Sequence, residues 1–175
     1  RLCSRCRVKG MGFWLMAWAK NGTPDTLTST GDTMTISDLT PYKFNFFLVY
    51  KISSGIAQLN TTFNNNTNSV YATRFSENGA SDSTETSNAD MYCLTTNGNY
   101  ENFGTLYVCS ISGEEKLIIS NTITAQTGAS NAPARLDIVS KFVPSPDADI
   151  TRIDMSNAGS GDYAADSNLS AIGSD

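Results

Sequence analysis

The feature that most constrains this chain is a recurrence. Short runs of β-branched and aromatic residues are each closed by a Gly, Asn or Asp turn signal. The runs are Asp32–Ser37 (DTMTIS), Phe44–Ile52 (FNFFLVYKI), Ala57–Phe63 (AQLNTTF), Ser69–Phe75 (SVYATRF) and Asp90–Thr96 (DMYCLTT). They continue as Gly104–Ile111 (GTLYVCSI), Glu115–Gln126 (EKLIISNTITAQ), Arg135–Val143 (RLDIVSKFV), Asp149–Ser156 (DITRIDMS) and Ser167–Gly173 (SNLSAIG). Asn21-Gly22, Thr30-Gly31, Ser54-Gly55, Asn97-Gly98 and Ser112-Gly113 stand between them, and such dipeptides supply the φ > 0 that tight turns need. Segments of this length and spacing predict an all-β fold, an antiparallel β-sandwich of about ten strands with a jelly-roll-like arrangement.

Alternation along the runs supports strands with one buried face. Met34 and Ile36 fall opposite Thr33, Thr35 and Ser37, and Ile153 and Met155 fall opposite Arg152 and Asp154. FNFFLVYKI is apolar at both parities and reads as a central strand covered on both sides. No pattern predicts a helix longer than a turn or two. MGFWLMAWAK fits a short helix or an entry strand. The expected organisation is a flexible basic segment over 1–12 followed by a single sandwich domain over 13–175.

Composition narrows the function classes. Charged residues make up only 17% of the 175, and Thr, Ser and Asn take the place of the Glu, Lys and Arg that solvated helices need. A chain of this length buries roughly two thirds of its unfolded surface and so builds a real core. The net charge of −5, with basic residues concentrated only in the first ten positions, argues against a nucleic-acid partner. The longest apolar run, near Phe46 to Tyr50, is far too short to cross a bilayer, so no membrane partner is expected. The basic-then-apolar start has the outline of a signal peptide, but its apolar part is short, holds Gly12 and Lys20, and lacks a small-residue cleavage site. Cys93 and Cys109 lie in apolar runs and are expected as buried free thiols, with a cross-strand disulfide as the alternative. Cys3 and Cys6 form at most half of a zinc knuckle.

The chain has no histidine. That removes Ser-His-Asp and Cys-His nucleophilic machinery, HExxH zinc sites and imidazole general bases. Neither GxGxxG opening a helix nor GxxxxGK[ST] is present. Carboxylates remain, but Glu114-Glu115 follows Ser112-Gly113 in a predicted hairpin turn, where exposed acids are routine. No enzymatic activity and no cofactor are therefore expected. Asp147 and Asp149, at alternate positions of PSPDADI, are the weak candidates for a calcium site. Tyr100 in NGNYENFG and Tyr163 in SGDYAAD are the aromatics expected to face solvent, where they would stack on the sugars of host surface glycans.

The stretch from Phe63 to Ser87, FNNNTNSVYATRFSENGASDSTETS, reads as strand, turn and strand followed by a polar loop over 76–89. Loops of small polar residues bond their own backbone and can join subunits without salt bridges. Together with TLTSTGDTMTISDLTPYKFNFFLVYKISSG, the NAPAR…IVSKF segment and ITRID…GSGDYAADSNL, this stretch resembles short β-rich virion structural proteins of uncultured, mainly aquatic, tailed phages and related viruses. The resemblance spans about Trp14 to Gly173 and implies a virion location. It implies a capsid decoration, head-fibre or tail-fibre module that associates with itself, a trimer being one form, and with other virion proteins. Asn64, Asn65, Asn66, Arg74, Asn78 and Asp82 are the interface candidates. A carbohydrate-binding host-recognition module is the alternative.

Overall fold

The computed structural model describes residues 17–55, 57–92, 100–145 and 148–175, and none of these is helical. Fifteen strands are described: β1 (Ala19–Lys20), β2 (Asp25–Thr26), β3 (Thr33–Ile36), β4 (Phe44–Lys51), β5 (Ser53–Ser54), β6 (Leu59–Phe63), β7 (Tyr71–Glu77) and β8 (Ser83–Asn88). They continue as β9 (Met91–Tyr92), β10 (Asn102–Cys109), β11 (Lys116–Thr124), β12 (Ala134–Phe142), β13 (Ile153–Asn157), β14 (Asp162–Tyr163) and β15 (Asn168–Ser174). Every pairing is antiparallel. The predicted all-β antiparallel fold is therefore the fold, and its strand count exceeds the expected ten because several strands are only two residues long.

Two sheets of unequal size make the layers. The large one has nine strands in the order β1-β15-β4-β10-β11-β12-β7-β8, with β2 also pairing to β15. The small one is β3-β13-β6-β9, and β14 pairs with β5 in a two-stranded ribbon. Between them lies the core. Met34, Ile36, Leu59, Phe63, Ile153 and Met155 from the small sheet meet Phe47, Val49, Leu106, Ile118 and Phe142 from the large one. Phe63 stands between Phe47 and Phe142, with ring centroids 6.3 and 5.6 Å away, and Tyr71 stacks on Phe142 at 4.9 Å. Burying one such ring contributes about 2–3 kcal/mol, so Phe63 ties the small sheet to the rings of the large one.

The turns follow the residue chemistry. Asn64 and Asn65 both take positive φ (55° and 52°), and Asn66 N–H bonds Phe63 O at 3.0 Å, closing a two-residue turn of the primed type. Asn78 and Gly79 do the same (51° and 78°), with Ala80 N–H bonding Glu77 O at 2.8 Å. The stretch expected as a polar loop over 76–89 is consequently a hairpin, and Ser83–Asn88 is the last strand of the large sheet. A strand at the margin with both faces wet carries no hydrophobic alternation, which is why its composition resembles a loop. Gly173 is required for a different reason: a Cβ there would run into the Tyr42 ring.

FNFFLVYKI is central, between β15 and β10, as expected, but its cover is one-sided. Asn45, Phe47, Val49 and Lys51 face the core and are buried, whereas Phe44 and Tyr50 on the other face are exposed. No element among the described residues covers that outer face.

Candidate interaction surface

The outer face of the large sheet carries the most unusual chemistry of the molecule. Strand register lines up Ile172, Phe46, Tyr107, Ile119 and Val139 across β15, β4, β10, β11 and β12, and the row ends at Arg74 on β7. A second row runs Tyr50, Phe103, Ile123, Arg135, and a third runs Phe44, Cys109, Leu117, Lys141. Phe46 packs on Tyr107 with centroids 4.4 Å apart, and Trp18 meets the same ring edge-on at 6.3 Å. These contacts leave much of each side chain in water: Tyr107 is 54% exposed, Leu117 57% and Ile119 58%.

β11 is the most telling element. Its burial alternates without a break, and the buried positions are Lys116, Ile118, Ser120, Thr122 and Thr124. The exposed positions include Leu117, Ile119 and Ile123. The strand turns its more polar side inward and its aliphatic side outward. Because side chains alternate with a period of two, a slip of one residue would bury the aliphatic set instead. The inward set is held by hydrogen bonds, which fix the observed register. Thr124 Oγ1 donates to Asn102 Oδ1 at 2.6 Å, and Lys116 Nζ donates to Ile111 O and Glu114 O at 2.6 and 2.7 Å.

Toward β12, β7 and β8 the face becomes charged. Three exposed ion pairs lie there: Arg74–Asp82 at 3.3 Å, Arg135–Asp137 at 3.5 Å and Lys141–Glu115 at 3.0 Å. Asn121 Nδ2 donates to Asp137 Oδ1 at 2.8 Å. Arg74, Asp82, Asn121, Asp137, Ile119 and Val139 line a shallow groove of about 250 Å³. Exposed pairs of this kind contribute little to stability, of the order of 0–1 kcal/mol each, so they shape the surface more than they hold the fold.

The predicted site residues fall into different places. Arg74 and Asp82 come together on this outer face. Asn64 is committed to its own chain: its Oδ1 accepts from Thr151 N–H and Arg152 N–H at 2.9 and 3.1 Å, and its Nδ2 donates to Asp149 O at 2.8 Å. Asn66 accepts from Asn68, and Asn65 is exposed on the same turn, so this asparagine cluster lies apart from Arg74 and Asp82 in the sequence of turns. Asn78 accepts from Arg135 N–H at 2.9 Å and stitches its hairpin to β12. Tyr163 is fully buried, which corrects the expectation that it faces solvent; its backbone is bridged to Gly31 by bonds of 3.0 and 2.9 Å, which draw the ring inward. Tyr100 is half-buried. Asp149 is exposed, while Asp147 and Cys93 lie outside the described residues. Cys109 is a free, half-buried thiol on the outer face, in place of the fully buried one expected.

Asp162 hydrogen-bonds Asp32, and that contact with a like charge raises its carboxyl pKa. Among the described residues no three Asp, Glu or Cys side chains gather closely enough to hold a metal ion. Sequence reasoning missed Tyr107, Leu117, Ile119 and Ile123. A usable signal was present: GTLYVCSI and KLIISNTI are apolar at both parities, which means two faces that want cover.

No protein-family model matches this chain, and no curated protein or solved structure matches it.

Proposed function

We propose that this chain is a non-enzymatic structural protein of a virion, a capsid decoration, head-fibre or tail-fibre module that acts by self-association and lattice contacts. The observation that carries the reading is the outer face of the large sheet, where apolar side chains of five consecutive strands form a continuous row. Monomeric proteins rarely leave so much contiguous apolar surface in water, because each exposed Å² forgoes roughly 25 cal/mol. A sheet whose β4 and β11 bury Lys51 and Lys116 while turning aromatic and aliphatic side chains outward is built to be covered by protein. The virion setting is supported by the resemblance of the segments FNNNTNSVYATRFSENGASD and ITRIDMSNAGSGDYAADSNL to phage structural proteins.

Mass spectrometry of particles purified from a lysate of the infected host tests this. The expected result is peptides of the chain at a fixed stoichiometry to the major capsid protein, together with density for a two-layered β domain in a cryo-electron microscopy map. A chain found only in the soluble fraction, with none in washed particles, overturns it.

A further inference from the structure

We infer that the occupant of the outer face is a second copy of this same chain, docked face to face about a two-fold axis that runs along the row Phe46–Tyr107–Ile119–Val139. The inference deepens the self-association reading above and rests on it.

Three observations favour a second copy over an unlike partner. The first is area. Summed over the exposed apolar side chains of this face, from Trp18 and Phe103 to Ile123 and Val139, the open surface is on the order of 1,000 Å². That exceeds the largest patch of a typical monomer and matches the roughly 800 Å² per partner of a stable interface. The second is charge. The chain as a whole carries −5, yet the ion-paired charges on this face, three bases (Arg74, Arg135, Lys141) and three acids (Asp82, Asp137, Glu115), balance one another. Two copies can therefore approach here without the repulsion that their net charge imposes elsewhere.

The third is register. A two-fold axis makes a self-complementary contact, in which residues equally far to either side of the axial row exchange places. On β12 the axial residue is Val139, so Lys141 of one copy comes over Asp137 of the second copy. On β10 the axial residue is Tyr107, so Phe103 comes over Ile111 of the second copy, apolar on apolar. Two such sheets pack about 10 Å apart with their strands within about 30° of each other, which keeps these pairings near the centre of the contact. The arrangement also supplies the second cover that FNFFLVYKI and the inverted β11 lack among the described residues.

Sedimentation velocity on the full chain at micromolar concentration reads the result directly. The wild type is expected to be dimeric. Ile119→Lys and, separately, Leu117→Lys should weaken the association at least about tenfold while far-UV circular dichroism stays unchanged, since both side chains already face water. Lys141→Asp should weaken it, and Lys141→Asp combined with Asp137→Lys should restore it. A monomeric wild type overturns the inference, as does a dimer indifferent to Ile119→Lys or a charge swap that restores nothing. Deleting residues 1–16 tests another occupant: a monomer that dimerises only after the deletion means the leading segment is the cover, and overturns the inference too. The outcomes also separate from the virion reading. A dimer absent from particles sinks the virion role alone, and a particle-bound monomer sinks this inference alone.

Discussion

Lys51 is a lysine with nowhere to be hydrated. It is fully buried on the core side of β4, and its Nζ donates to Ala57 O at 2.8 Å. Desolvation pulls its pKa down to about 8, below the ordinary lysine value that the unfolded chain retains. Between those two values the unfolded chain binds more protons than the folded one, so stability rises with pH through that window. Tyr71 acts the other way at the upper end, because burial raises its pKa and only the unfolded tyrosine ionises near pH 10. Thermal melts from pH 7 to pH 10 should therefore show the wild type gaining roughly 2 kcal/mol relative to a Lys51→Met variant, whose profile lacks the lysine titration. A constant gap between the two would mean that Lys51 keeps its ordinary pKa in the folded protein. Asn64 gives a second residue-scale test. Asn64→Ala loses the bonds to the 149–152 backbone and places alanine at positive φ, and should cost about 2–4 kcal/mol in urea unfolding. Asn65→Gly, at φ 52°, should change stability by less than about 1 kcal/mol.

At the level of elements, protection is expected to follow position in the large sheet. β10 and β11 are bonded on both sides along eight or nine residues, while among the described residues β8 is bonded on one side only, with a register shift at Tyr71/Ala72 and Ser87 at φ 57°. Native-state hydrogen exchange should release the β8 amides by local opening, with those of β11 waiting for global unfolding. Equal protection in the two strands would contradict that. The elements also show what the sequence could reveal. DTMTIS was readable because its apolar residues sit at one parity and that parity is inside. KLIISNTIT was not, because periodicity separates two faces without saying which one looks inward, and here hydrogen bonds from Lys116 and Thr124 decide the matter against hydrophobicity. β8 escaped notice because its six residues are exposed or half-buried and carry no apolar alternation. Tyr163 was misplaced because the partner that draws it in, Gly31, is remote in sequence.

On the scale of the whole molecule, the imbalance between a nine-stranded and a four-stranded sheet explains both what was legible and what was not. The inner residues Phe47, Phe63 and Phe142 belong to alternating or continuous apolar runs, so the existence of a two-layered core followed from the sequence. The outer face needed the strand order, since Phe46, Tyr107, Ile119 and Val139 are scattered over almost a hundred positions and become a row only when β4, β10, β11 and β12 lie side by side. The interface candidates drawn from the asparagine-rich stretch were chosen for composition, and their own backbone consumes much of their bonding capacity. One further consequence attaches to β8. A broad greasy ribbon with an unprotected rim would polymerise sideways into fibrils, yet here that rim is six hydrophilic residues bent out of line. On the face-to-face arrangement proposed above, growth is steered away from the flank and toward the flat, and concentrating the protein is expected to yield discrete pairs and not threads.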